Sequence, residues 1–173
     1  MSRMTPNDPR ESRTNQSNML REQLIKLLDW QDAHVNFDDA VEGIPPSLQG
    51  VRPEGLPYSA WELLEHIRLT QNDILHFCRN SAYEAPKWPD EYWPKTTSPR
   101  TPDDWQQSVE AFRADRQALQ VMTADPALDL YAEIPHGEGQ TYLREVLLVV
   151  DHNAYHLGEL VAVRRMLGIW NKR

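Results

Sequence analysis

One cysteine in 173 residues, Cys78, leaves no partner for an internal disulfide and fits a reducing compartment. Such a lone thiol reads as a small buried apolar residue. Glycine is also sparse, at seven residues, which argues against a loop-heavy all-β design. Long apolar runs are missing: the longest, Val146 to Val150, falls far short of the ~20 residues that span a bilayer. The opening residues show no secretory or transit pattern, so the expected location is cytoplasmic. Positive charge is scarce, with 18 Lys and Arg against 26 Asp and Glu, and the net charge of −8 excludes a broad basic face for a phosphate backbone. Arg164, Arg165, Lys172 and Arg173 are basic but gather at a helix C-terminal end, where cations are favoured in any case.

What the chain does have is helical periodicity broken by proline. Its length fits one domain with a core of its own. Residues 1 to 16 carry almost no apolar side chains and read as a tail, leaving 17 to 173 as the domain. From Ser17 to Val41 a helical face runs through Leu20, Leu24, Leu27, Leu28, Gln31, His34, Val35 and Asp38. Gln31, His34 and Asp38 are polar groups on that seam, and either reach solvent or line a pocket. A Pro- and Gly-rich connector, Gly43 to Tyr58, comes next. Ser59-Ala60-Trp61-Glu62 is a capping box, and it starts a second helix that is expected to run to Arg79. His66 sits at the edge of that helix's apolar arc, on a strip with Glu62, Thr70 and Asp73.

Asn80 to Arg100 is a long connector with four Pro, two Trp and two Tyr. Its aromatic content predicts a segment packed over the bundle, as a lid or a subunit contact. Thr101-Pro102-Asp103-Asp104 starts a third helix, with Thr101 as its expected cap, and Asp125-Pro126 ends it. After the connector 126 to 140, Thr141 caps a fourth helix that Gly168 closes. Four helices with long connectors and no convincing strand pattern imply an all-α four-helix bundle.

The fourth helix carries the chemistry. His152 and His156 are four residues apart and point the same way, with Glu145 and Glu159 on the same strip. Because this helix is apolar nearly all round, it is expected to be the central one of the bundle, with Gly158 and Ala162 permitting close approach of a neighbour. Buried imidazole nitrogens left unpaired cost about 1 to 3 kcal/mol each, so the pair needs either a metal or hydrogen-bond partners such as Glu145 and Glu159. Zinc, nickel or iron would require a third ligand from another helix. His66 is the first candidate and His34 the second; His76 and His136 are placed less well. The tryptophans Trp61, Trp88, Trp93, Trp105 and Trp170 read as core or interface.

The segment DHNAYHLGELVAVRRMLGIW, together with LLEHI in the second helix, resembles the DinB/YfiT-like family of metalloenzymes over most of residues 17 to 170. The resemblance implies a four-helix bundle, often a homodimer, with a divalent metal on three histidines; carried over, these are His66, His152 and His156. It also implies a small-molecule substrate and, among members of known activity, a low-molecular-weight thiol as cosubstrate of a transferase or isomerase. Beside the ligands, Glu62 and Glu159 are the expected orienting residues, and Gln31, His34 and Tyr155 the expected pocket residues. A metal-dependent hydrolase and a non-catalytic metal-binding dimer are the alternatives.

Overall fold

The computed structural model describes residues 9–29 and 32–170. Among these the chain is helical, with a single antiparallel bridge between Glu133 and Thr141 in place of any strand. Four long helices, α1 (Pro9–Leu27), α3 (Ala60–Arg79), α4 (Asp104–Ala124) and α5 (Tyr142–Met166), form the bundle, and α2 (Phe37–Val41) is a short fifth. No helix among the described residues is long and apolar enough to cross a membrane.

Two helix starts match the local signals. Ser59 Oγ accepts from Glu62 N while the Glu62 carboxylate accepts from Ser59 N, completing the capping box. Thr141 caps α5, and Gly168, at φ 70°, lies just past its end. At α4 the helix begins at Asp104, not directly after Thr101; the Asp104 carboxylate accepts from Arg100 N, Thr101 N and Thr101 Oγ1, closing a turn ahead of the helix.

The first helix departs most from expectation. It begins at Pro9, ahead of Ser17, with proline in the first turn where its missing N–H is tolerated. It also ends at Leu27 and does not continue to Val41. Asn36 starts a separate helix, its side chain accepting from Asp39 N at 2.8 Å, with Asp38 and Asp39 near the positive end of the dipole. The polar seam expected over Gln31, His34 and Asp38 is therefore absent as a helix face. Gln31 lies outside the described residues, and Asp38 pairs with Arg113 and Arg116 of α4.

The most enclosed helix is α3, against the expectation that the histidine-pair helix would be central. It packs on both α4 and α5 and buries 12 of its 20 residues, whereas α5 buries 9 of 25 and exposes Leu147, Asp151, Tyr155 and Met166. The reason is that one face of α5 stays uncovered, with Leu147, Tyr155 and Met166 exposed beside Arg144, Asp151 and Arg165.

The core divides in two. One cluster joins Phe37, Trp61, Leu64, Ile67, Phe112 and Leu160, with Phe37 stacked on Phe112 at 3.8 Å. The other joins Leu24, Ile74, Leu75, Leu119, Ile134, Val146 and Val149. Between them in register lie two buried amides, Gln71 on α3 and Asn153 on α5, hydrogen-bonded at 3.0 Å. Two buried arginines close helix ends: Arg21 donates to Thr123 O and Leu128 O, and Arg164 donates to Asp39 O and Ala40 O. Such guanidinium groups satisfy carbonyls that a helix end leaves without partners.

Candidate metal centre

Ala60 to Arg79 places His66 on the second turn after the capping box, and α5 sets His152 and His156 one turn apart facing it. Each of the three offers a ring nitrogen, and these atoms lie within 4.8 Å of one another. His66 Nε2 and His152 Nε2 are 3.1 Å apart. His66 is buried at 3% exposure, and the other two are half-buried.

The outward sides of two rings are already held. His66 Nδ1 donates to the backbone oxygen of Tyr92 at 2.7 Å. His156 Nδ1 lies 2.7 Å from Glu159 Oε2, one turn further along α5. Trp93 stacks flat on His66, with centroids 3.9 Å apart and planes 2° from parallel, and Tyr58 stacks on Trp93 at 4.2 Å. Both partners of His66 thus come from the connector between α3 and α4, which at this point packs against the bundle. Asp73 holds this connector: its two carboxylate oxygens accept from Tyr83 Oη at 2.6 Å and Tyr92 Oη at 2.7 Å.

Burial and neighbouring rings favour the neutral form of His66 and His152. Burial is the larger cause for His66, whose pKa lies below the ordinary histidine value despite its hydrogen bond to Tyr92. Burial, then the positive forms of His156 and His66, push His152 down to about 4. Neutral imidazole is the form that binds metal. On a tetrahedral ion with N ligands at 2.0–2.1 Å, two nitrogens stand roughly 3.4 Å apart, so the 3.1 Å pair is spaced as a ligand pair. The donor set therefore fits a divalent ion such as zinc, nickel or iron.

The DinB superfamily model matches residues 29–160, a span that includes all three histidines. The chain belongs to the DinB superfamily. No curated protein and no solved structure matches it.

Other expected site residues of this DinB chain fall in different places. Glu159 lies against His156, its Oε2 2.7 Å from Nδ1. Tyr155 also reaches the site, its ring edge-on to His156 at 4.9 Å while 67% exposed. Glu62 does not hold a histidine: Arg52 and Ser59 N occupy its carboxylate, and although burial opposes its ionisation, these partners keep its pKa below the ordinary value. His34 is not near the trio. Its exposed ring meets Val35 O and lies at a cavity of about 260 Å³ lined also by Phe37, Asn153 and Ala154, on a different side of α5 from His152 and His156. Tyr92 and Trp93 belong to the site without a sequence signal that marks them. A backbone carbonyl leaves no side-chain signature, and a tryptophan in a loop looks alike whether it stacks on a ligand histidine or on the core.

Proposed function

We propose that this DinB-superfamily protein is a metal-dependent enzyme in which His66, His152 and His156 hold one divalent ion and leave further coordination positions open. The observation that supports it is the convergence of three imidazoles from two helices, with His66 and His156 fixed from behind by Tyr92 O and Glu159. Three protein ligands are the number of a catalytic site, since structural zinc is usually closed by four. When bound, the ion would supply Lewis acidity that makes a small thiol or water nucleophilic near neutral pH.

We favour the thiol as the entering group: its S–H proton passes to solvent water, its sulfur bonds to an electrophilic carbon, and the displaced group departs with its electron pair. The chain's own contributions are positional. Glu159 retains the proton on His156 Nδ1, Tyr92 O fixes the His66 ring plane, and Trp93 shields one face of that ring from water. Tyr155, exposed beside His156, is the side chain best placed to meet a substrate. Turnover of a panel of small thiols with a model electrophile tests this: zinc- or nickel-loaded protein should consume thiol and His152→Ala should not. Hydrolysis without thiol consumption would move the assignment to a metal-dependent hydrolase.

A homodimer is part of the same proposal. The outward face of α5 exposes Leu147, Tyr155 and Met166 at 45%, 67% and 61%, and a side chain added at Gly158 would meet open space. Equilibrium sedimentation should give a dimer, and a monomer at all concentrations would remove that element.

A further inference from the structure

Hydrogen-bond partners fix the proton positions on the three rings. Tyr92 O can only accept, so His66 carries its proton on Nδ1, and with that single proton it presents a lone pair at Nε2. His152 Nε2, 3.1 Å away, must therefore be the donor in that contact. A single proton on His152, placed at Nε2, leaves its Nδ1 as a bare lone pair. That atom is buried and has no hydrogen-bond partner.

The next residue carries a matching defect. Asn153 is 8% exposed, and its Oδ1 is buried without a partner. Its orientation is not arbitrary: Gln71 Nε2 donates to Phe112 O at 2.9 Å, so Gln71 must turn Oε1 toward Asn153 and receive Asn153 Nδ2–H at 3.0 Å. The amide cannot flip without breaking that chain, and Oδ1 stays an acceptor on the other side. The Asn153 side chain lies close enough to the His152 ring to favour its protonated form. Two buried polar atoms on neighbouring residues of α5 are thus both without a partner.

We propose that Asn153 is a positioning residue for His152, selecting the tautomer in which Nδ1 carries the proton and donates to Asn153 Oδ1 while Nε2 turns its lone pair to a metal ion. The proposal rests on the three-histidine metal reading. The proton moves from Nε2 to Nδ1 of one ring, so no proton or electron enters or leaves. Both buried defects are then satisfied at once. All three rings end alike, with Nδ1–H held from behind and Nε2 facing inward, and the His152 support runs through Gln71 to the backbone of α4.

The test is nitrogen NMR of ¹⁵N-histidine-labelled full-length protein, without and with zinc, alongside zinc titration of variants. Without zinc, His152 should be protonated at Nε2 and His66 and His156 at Nδ1; with zinc, His152 should switch to Nδ1–H. Asn153→Leu should lose 10- to 100-fold in zinc affinity, roughly the range for an outer partner of a ligand histidine, and Asn153→Asp, which keeps an acceptor, should retain most of it. Zinc binding by the wild-type protein with His152 still protonated at Nε2, or equal affinity in a folded Asn153→Leu, overturns this inference alone. If the wild-type protein binds no zinc, the metal reading falls and this inference with it. Should Asn153→Leu fail to fold, Asn153→Ala carries the same test: a 10- to 100-fold loss of zinc affinity, roughly the range for such an outer partner, supports the inference, and wild-type affinity overturns it.

Discussion

Asp73 is predicted to hold the site's roof, and its replacement should separate the roof's stability from the site's geometry. Its carboxylate receives two phenolic hydrogen bonds, from Tyr83 at 2.6 Å and Tyr92 at 2.7 Å. Hydrogen bonds to a charged group contribute about 1.5–3 kcal/mol each when buried. All three side chains are half-buried, so water can replace part of what is lost, and the low end applies. Asp73→Ala should then cost about 2–3 kcal/mol of unfolding free energy, and Tyr83→Phe or Tyr92→Phe about 1–1.5 kcal/mol each. Only one of the two tyrosines also touches the site. Tyr92 supplies the carbonyl that orients His66, so Tyr92→Phe should weaken zinc binding several-fold, while Tyr83→Phe should lower stability and leave zinc binding nearly unchanged. Urea unfolding and zinc titration of the variants give both quantities, and in the Asp73→Ala background either Tyr→Phe change should be close to neutral. A pH series adds an independent arm. Burial first, then the hydrogen bond to Asp73, raises both phenols, Tyr92 to about 12. Unfolded tyrosines lose their protons near pH 10, so above that pH the unfolded chain binds fewer protons and stability falls as pH rises toward 12. Asp73→Ala should make that fall shallower. Equal stability of Asp73→Ala and wild type, or identical alkaline limbs, would refute the clamp.

Arg164→Ala should lose about 2–3 kcal/mol in chemical denaturation, since it strips the Asp39 and Ala40 carbonyls of their donor and removes the guanidinium stacked over Trp170 at 4.9 Å; Arg165→Ala, on an exposed residue, should stay within about 0.5 kcal/mol. Cys78 is buried at 4% exposure, and burial, with Glu145 nearby, pushes its thiol up to about 12. Its labelling by a thiol reagent at pH 8 should therefore be limited by opening of the fold, and fast labelling in the native state would show that the second core cluster is loose. Trp93→Ala removes the ring stacked on His66 and should cost about 2 kcal/mol, below the ~3–5 kcal/mol of a fully buried tryptophan, with a measurable loss of zinc affinity. Unchanged zinc affinity there would mean that Tyr92 O alone fixes the ring.

Much of the bundle is legible in local signals because they act within a few residues. The Ser59 capping box, the Thr141 cap and the Asp125-Pro126 stop are short-range chemistry, and α3, α4 and α5 lie where those signals put them, within a few residues at their ends. The break after Leu27 is hidden because Asn36 reads as just another polar residue on a helical wheel until its cap to Asp39 N is seen. Burial is harder still: an apolar stripe on α5 looks the same in sequence whether it meets α3 or faces outward, so the pattern points to the wrong helix as the central one. At the site, the spacing of His152 and His156 is visible, and the polar strip on α3 points to His66. His34 can be judged only by where a broken helix puts it. The Tyr92 carbonyl and the Asn153 amide act through a backbone atom and through an orientation set by Gln71, and neither has a one-residue signature.

Metal content measured by mass spectrometry on protein purified without a histidine tag, with zinc titration of that protein and of His66→Ala, His152→Ala and His156→Ala, tests the three-histidine centre most directly. A metal site made by these residues predicts one divalent ion per chain, or uptake of one zinc when supplied, and loss of tight binding in each variant while the helical content is retained. Protein that carries no stoichiometric metal and takes up no added zinc, or variants that bind as well as wild type, would contradict it.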